Sequence, residues 1–443
     1  MMTVDEIRLN KLMSEGIVEM ISQDRLFVTN LNMTDGLGIP SPVVLFQQTT
    51  HSGLVPVAIQ LNQPKGKSNE TNPVFYPDDD TNVWKLAKMW CNLADSSIHL
   101  GIVHLGLTHL LMEGVNISMH RNLSSRHPVY KLLAPHFHYT LAINELARLD
   151  LLGPGEYVDR IIKIKSAGVL IELGEKLEVW RLDIDGTLPA DLRKRGLLSP
   201  DENGNEKVNL PGFFYAEDGL RLYYAIREYV DEYVRYYYCG EDDNETKQRL
   251  IDDAEIQAFC KELQKPRAFV DGGIGIKGVP STNDKFETID QLTDTITSII
   301  YTCSVMHAAT NYPMYDEYGF PPNYSTMLHK EPPSDAKALT DQDVLDSLPS
   351  VAETFDMMTI FTRLSQETTK PLGEFEVQYI EDEGAVKILD KFRSKLAKIG
   401  MDIEKRNEKI KEENERRKAD NEIVYQRPYT ILLPKNVPNS IAI

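Results

Sequence analysis

The sequence predicts a mainly α-helical fold with a few short β-strands. Three observations carry that expectation. Strand-like segments punctuated by turn residues fall in residues 41–80. From residue 81 onward the chain is dominated by long segments with helical apolar periodicity. No internal repeat and no GxSxG elbow interrupts this layout.

The elements follow in order. Residues 4–22 (VDEIRLNKLMSEGIVEMIS) carry apolar side chains at 4, 7, 12, 13, 17, 18, 20 and 21, the pattern of a loosely amphipathic helix. Such a helix packs against the body of the protein or touches a membrane surface. "PVVLFQQ" and "VPVAIQL" read as strands, "QPKGKSNETNP" and "YPDDDTN" as loops. Helices are expected over about 81–119, 127–151, 215–238, 285–312 and 383–420. The last ends in a charge run, "EKRNEKIKEENERRKADN", which reads as a solvated face with i,i+4 pairs. "DGGIGIKG" at 271–278 lacks the GxGxxG spacing and reads as a loop. The tail "RPYTILLPKNVPNSIAI" is extended and apolar at its end, although chain ends ordinarily fray into solvent. It reads as a segment made to be buried.

Composition narrows the function. With 443 residues, 42% hydrophobic and 26% charged, the chain can bury a large core. A net charge of -19 argues against a nucleic-acid partner, which needs a basic surface. The four cysteines, at 91, 239, 260 and 303, show no CxxC pairing and read as those of a reduced, cytoplasmic protein. No continuous apolar run reaches the roughly 20 residues of a membrane helix. The N-terminus has no signal-peptide layout.

The chemistry-bearing residues are histidines. "HLGIVHLGLTHLL" places His99, His104 and His109 five apart. On an α-helix that spacing turns each side chain roughly 140° from the last. The three are therefore either unrelated or carried on a distorted helix. His307 lies in "YTCSVMHAATNYPMY", with Asn311 four residues on and so on the same helix face. Imidazoles with an oxygen ligand and open positions suit a non-heme iron. The same residues also suit a packed histidine network. No HEXXH motif is present.

Taken together, "WKLAKMWCNLADSSIHLGIVHLGLTHLL", "RHPVYKLLAPHFHYTLAINELAR", "MHAATN" and the terminal "PNSIAI" resemble the lipoxygenase family, in order, from "RLFVTN" at 25–30 to Ile443. The resemblance implies a helical bundle around two long central helices. It implies one catalytic domain over 1–443, with 1–25 a helical extension and no N-terminal β-barrel lipid-binding domain. Minimal bacterial lipoxygenases are of this kind, and some are fused to a catalase-like, hydroperoxide-metabolising domain. One non-heme iron (Fe2+/Fe3+) per chain is implied, held by His104, His109, His307, Asn311 and the terminal carboxylate of Ile443. His99 is then not a ligand but a neighbour of the ligands or of the core. A helix widened by one residue, a π-type turn, lets His104 and His109 converge.

The implied reaction joins O2 to a polyunsaturated fatty acid, linoleate or α-linolenate, with no catalytic group beyond an iron-bound hydroxide. The product is a conjugated-diene hydroperoxide, with 9R favoured and 13S the rival. Ala147 falls at the position that steers oxygen. Leu151 and Leu364 resemble the pair that clamps the pentadiene. Ser96, Ile161, Ile162 and Ile360 fall where pocket depth is set, and Arg148 is structural or meets a carboxylate. Leu100 and Met314 depart from the family pattern, in which polar side chains at these positions link pocket and metal shell. Two alternatives stay open: a hydroperoxide isomerase or lyase on the same scaffold, and a metal-free lipid-binding module. Peripheral membrane contact is expected through residues 4–22.

Overall fold

The structure, a computed structural model, describes residues 2, 4–34, 36–49, 53–63, 72–268, 270–366, 369–420 and 426–443. It is mainly helical with six short strands among the described residues, as the sequence predicts. The helices used below are α1 (Glu6–Leu12), α2 (Ile17–Ser22), α3 (Thr81–Ser97), α4 (Leu111–Asn122), α5 (Thr140–Asp150), α6 (Tyr157–Ile161), α7 (Phe214–Tyr238), α8 (Ile289–Tyr301), α9 (His307–Asn311), α10 (Met314–Tyr318), α11 (Val351–Leu364) and α12 (Glu383–Ala419). The chain divides into two compact units. The first comprises Met1–Val103, Arg148–Glu175 and Pro313–Ser365, the second His104–Ala147, Lys176–Tyr312 and Gln366–Ile443.

In the first unit, β1 (Leu26–Asn30), β2 (Val43–Thr49), β3 (Gly53–Gln60) and β4 (Val74–Phe75) form an antiparallel sheet in that order. The β2–β3 register shifts at Leu45/Phe46, opposite Pro56. Proline cannot donate to the ladder, and a bulge accommodates it. The single helix expected over 4–22 is two, α1 and α2. Met13 is extended and Gly16 caps α2, since glycine is a poor helix interior residue. Leu9, Met13 and Met20 bury against Val57, Ala58 and Tyr76. Arg8 pins α1 by pairing with Asp78 and Asp79 and lying 4.3 Å from the Tyr76 ring centroid. The outer faces keep Ile7 (74% exposed), Val18 (81%) and Ile21 (60%) in solvent. Residues 64–71, within the loop expected at 63–73, lie outside the described residues.

Asp80 caps α3 by accepting from the Asn82 and Val83 N–H groups. Val83, Leu86, Ala87, Trp90, Leu93 and Ala94 then form one apolar stripe, packed with Val44, Ile59, Phe75 and Leu328. The helix runs on as a π-helix over Ile98–Leu110 and as α4. This 42-residue stretch, Thr81–Asn122, is the one helix among the described residues long and apolar enough to cross a membrane. Within the protein, 67% of its apolar window is buried, as in a core helix.

In the second unit α7 packs against α8 and α12. α12 buries Leu389, Phe392, Leu396, Ile399 and Ile403 at helical spacing, and its charged end is exposed as expected. The helix expected over 127–151 is broken into Pro128–Leu133, a 3-10 turn at Ala134–Phe137, and α5. Pro135 lacks an N–H, and Tyr139 has φ +65, so the chain turns before α5 begins. The helix expected over 285–312 is α8, a second π segment at Thr302–Met306, and α9. Residues 271–278 form no helix or strand, as expected.

Two helix starts in this unit share one clasp. The His127 Nδ1 accepts from the Val129 N–H (3.1 Å), so the ring proton sits on Nε2, 3.0 Å from the Asp253 carboxylate. Asp253 also accepts from the Ile256 N–H (3.0 Å) and the Tyr238 hydroxyl (2.7 Å). Burial raises this carboxyl, but the His127, Ile256 and Tyr238 bonds outweigh it and hold it at about 2. The ordinary carboxyl titrates near 3.9. A depressed folded value means stability present above the unfolded value and lost as pH falls toward 2. Asp253→Ala is expected to cost about 0.5–2 kcal/mol at pH 7. Melting curves should show the deficit shrinking as pH falls from 4 toward 2; a deficit independent of pH would rule out the carboxylate as its source.

Candidate metal centre

The centre is built inside the second unit from two π-helical turns. In the π-helix each N–H bonds five residues back, so residues five apart stand one turn apart on one stripe. His104 and His109 therefore point the same way, which an α-helix would forbid. Sequence reasoning expected a widening of one residue; the π run covers 13. Thr302–Met306 is likewise π-helical and delivers His307 at the start of α9, with Asn311 one turn later.

The three imidazoles meet. His104, His109 and His307 are all buried, and one nitrogen of each lies within 4.8 Å of the others. His109 Nε2 and His104 Nε2 are 3.3 Å apart. A gap that short between lone-pair nitrogens needs a proton or a cation between them. Burial, opposed by Asn144 and Glu113, lowers His109 to about 4, and burial with the nearby His109 holds His307 well below the usual histidine range. His109 and His307 are thus neutral at pH 7, the form that binds metal.

Asn144 on α5 fixes which His109 nitrogen faces inward. Its Nδ2 donates to the His109 carbonyl (2.9 Å) and to Glu113 Oε2 (2.9 Å). Its Oδ1 must then accept, and the His109 Nδ1–H donates to it (2.9 Å). The Nε2 lone pair is left for a ligand, the usual way a partner on the far nitrogen orients a metal-binding histidine. Neither ring nitrogen of His307 has a hydrogen-bond partner among the described residues, at full burial. Unsatisfied buried polar atoms are rare in folded proteins. A metal ion would satisfy the lone-pair nitrogen of the neutral ring, so the donor set fits an iron.

The C-terminal tail is tied to the same helix. Thr140, one turn before Asn144 on α5, donates to the Ile441 carbonyl (3.0 Å), and Ser440 donates to the His138 carbonyl (2.9 Å). His136 Nδ1 donates to the Asn439 carbonyl (2.9 Å). Buried Asn439 donates to the carbonyls of Lys370, Pro371 and Glu374 and accepts from the Gly373 N–H (3.0 Å). Residues 437–442 are buried, as the sequence expects, and Ile443 is half-buried.

Other sequence candidates sit as follows. Ala147 is buried on α5 in this unit. In the first unit Ser96, Ile161, Ile162 and Ile360 are buried, Leu151 and Leu364 are half-buried, and Arg148 is exposed. α6 and α11, which carry Ile161 and Ile360, pack together and are bridged by Arg160 and Asp356 (3.2 Å). Leu100 and Met314 are both buried. His99 bonds through Nδ1 to the Tyr318 hydroxyl. Sequence reasoning missed Asn144, Glu113, His136, Thr140, Asn439 and Tyr318; "HFHYTLAINELAR" contained three of them with nothing to mark their partners.

Residues 21–434 match the lipoxygenase family. The chain is 34% identical over 407 residues to the allene oxide synthase-lipoxygenase protein of Plexaura homomalla, covering 91% of this chain and 35% of that protein. It is 32% identical to the human hydroperoxide isomerase ALOXE3, covering 91% of this chain and 52% of that one. A coral 8R-lipoxygenase structure superposes with a TM-score of 0.85 at 30% identity, over 99% of this chain and 62% of that chain. The chain thus spans about a third to about half of the curated relatives it matches.

Asn144→Leu leaves the His109 tautomer unset. It is expected to weaken iron retention about 10–100-fold, read by competition with a chelator of known strength. Retention equal to that of the unaltered protein would refute the orienting role.

Proposed function

The chain belongs to the lipoxygenase family, and we propose that it is a non-heme-iron dioxygenase joining O2 to polyunsaturated fatty acids, linoleate and α-linolenate foremost, to give conjugated-diene hydroperoxides. The buried histidine triad is the observation that carries this reading. His104, His109 and His307 would hold the iron, with Asn311 and the Ile443 carboxylate completing the set. Iron bound there supplies the one-electron redox change that breaks the weak C–H bond between two cis double bonds.

The chain's own residues bind, orient and exclude water. Asn144 aims His109, and the clamp of Asn439 and Thr140 supports a fixed tail for Ile443. The buried, neutral rings of His109 and His307 hold no proton that would compete with the metal. Leu151, Leu364, Ile161, Ile162, Ile360 and Ser96 are the proposed substrate contacts and Ala147 the steering position, with 9R oxygenation favoured over 13S. Hydroperoxide isomerisation is the second reading, favoured by the likeness to ALOXE3. A hydroperoxide-consuming domain is the proposed neighbour, as the Plexaura protein's name joins an allene oxide synthase to a lipoxygenase.

Oxygen uptake on adding linoleate, followed by chiral chromatography, tests the reading. Uptake matching one dominant hydroperoxide enantiomer is expected, lost with iron in His307→Ala. Iron-loaded protein that takes up no O2 but consumes hydroperoxide would establish the isomerase instead.

We also propose a cytoplasmic protein that touches membranes through α1 and α2. Ile7, Val18 and Ile21 are the exposed apolar contacts, while Leu9, Met13 and Met20 belong to the core. Changing all three exposed residues to Ser should lower liposome co-sedimentation and spare turnover of dispersed fatty acid. Unchanged sedimentation would exclude these helices as the contact.

A further inference from the structure

Tyrosine is concentrated on α7, a 25-residue helix with Tyr at 215, 223, 224, 229, 233, 236, 237 and 238. Packing alone does not account for the hydroxyls. Tyr229 buries its hydroxyl with no hydrogen-bond partner, and Tyr301, facing α7 from α8, meets only the Tyr215 hydroxyl at 3.4 Å among the described contacts of its own hydroxyl. Phenylalanine would fill these places without burying an ill-satisfied polar group. What a phenol has and a phenyl ring lacks is ready one-electron oxidation coupled to loss of its proton.

Three of these rings make a continuous run. Tyr301 ends α8, immediately before the π segment that delivers His307, and lies six residues ahead of it. Tyr301 and Tyr223 have ring centroids 5.4 Å apart, and Tyr223 and Tyr224 5.7 Å. Tyr301 and Tyr223 are buried, and Tyr224 is 37% exposed. The Tyr224 hydroxyl donates to the Glu206 carboxylate. The run thus starts on the helix of a metal-site histidine and ends at solvent beside a proton acceptor.

We propose that Tyr301, Tyr223 and Tyr224 form an outlet through which an oxidising equivalent stranded at the metal centre leaves as a tyrosyl radical at Tyr224. This protective relay rests on the oxygenase reading, which supplies the oxidant: a lipid peroxyl radical left unreduced. Tyr301 gives one electron to the peroxyl radical, which becomes a hydroperoxide anion. The hydrogen bond to Tyr215 holds the Tyr301 proton meanwhile. Tyr223 refills Tyr301 and Tyr224 refills Tyr223. Tyr224 passes its phenolic proton to Glu206. The net change converts a peroxyl radical, a phenol and a carboxylate into a hydroperoxide anion, a tyrosyl radical and a carboxylic acid. A small one-electron reductant in solution, of the ascorbate class, restores the phenol.

The test uses iron-loaded protein turning over linoleate under limiting O2, with freeze-quench electron paramagnetic resonance and spin-trap mapping by mass spectrometry. The unaltered protein should give a tyrosyl signal that ascorbate removes and an adduct at Tyr224. Tyr224→Phe and Tyr223→Phe should each lower the adduct and signal several-fold and shorten the turnovers before inactivation, with the initial rate unchanged. Tyr224→Phe touches only a half-exposed side chain and guards against a folding defect in Tyr223→Phe. Glu206→Gln should lower the radical yield in the same direction. Tyr237→Phe, in the separate run Tyr229–Tyr233–Tyr237, should leave signal and lifetime unchanged. Normal O2 uptake with an undiminished signal in Tyr224→Phe, or an equal loss in Tyr237→Phe, overturns the relay. No O2 uptake by the unaltered protein defeats the oxygenase reading instead. In that event tert-butyl hydroperoxide serves as the radical source, and the same variants decide the relay by the same outcomes.

Discussion

Three buried imidazoles aimed at one point in a dry interior are held there against their own solvation. Each nitrogen has given up water, and two of those of His104 and His109 stand 3.3 Å apart. That arrangement is favourable only around a positive charge, and much of the second unit serves to make it. The π-helical turns exist where an α-helix would aim the histidines apart. α5 packs alongside so that an amide can set one tautomer. Burial keeps the His109 and His307 rings uncharged, which free imidazole near its ordinary pKa of about 6.5 would not guarantee. A site of this kind is a reservoir of free energy released by metal binding, so metal affinity and fold stability are linked.

How much of this was legible depended on how local each feature is. The helical segments after residue 81 show themselves by periodicity, and the buried tail by an apolar end. The histidine spacing announced a distorted helix, because five residues cannot be reconciled with one target on 3.6 residues per turn. The extent of the distortion was not announced. A bond pattern of i to i+5 over 13 residues, and again at Thr302–Met306, is set by what packs around the helix and not by local propensity.

The missed residues share one property: their partners are remote. Asn144 lies 35 residues from His109, and Thr140 lies 301 from Ile441. Asparagine and threonine on a helix face read as ordinary polar surface until the fold brings an imidazole or a carbonyl opposite. The helix breaks were half-legible. Pro135 and Gly16 stand in the sequence as interruptions, but whether a chain bends or stops at such residues is decided by the groups the turn can satisfy, here the tail for one and Asn10 for the other.

The tail clamp has a consequence for how the protein is made. Its hydrogen bonds join residues 136–140 and 370–374 to 437–441, contacts that span up to 303 positions of chain. Contacts so distant close late, because the loop between them must be ordered first. During synthesis the segment carrying His104 and His109 emerges long before residues 437–441, which fasten to residues 136–140. The α5 end of the site therefore stays unfastened until residues 437–441 have been made and have docked.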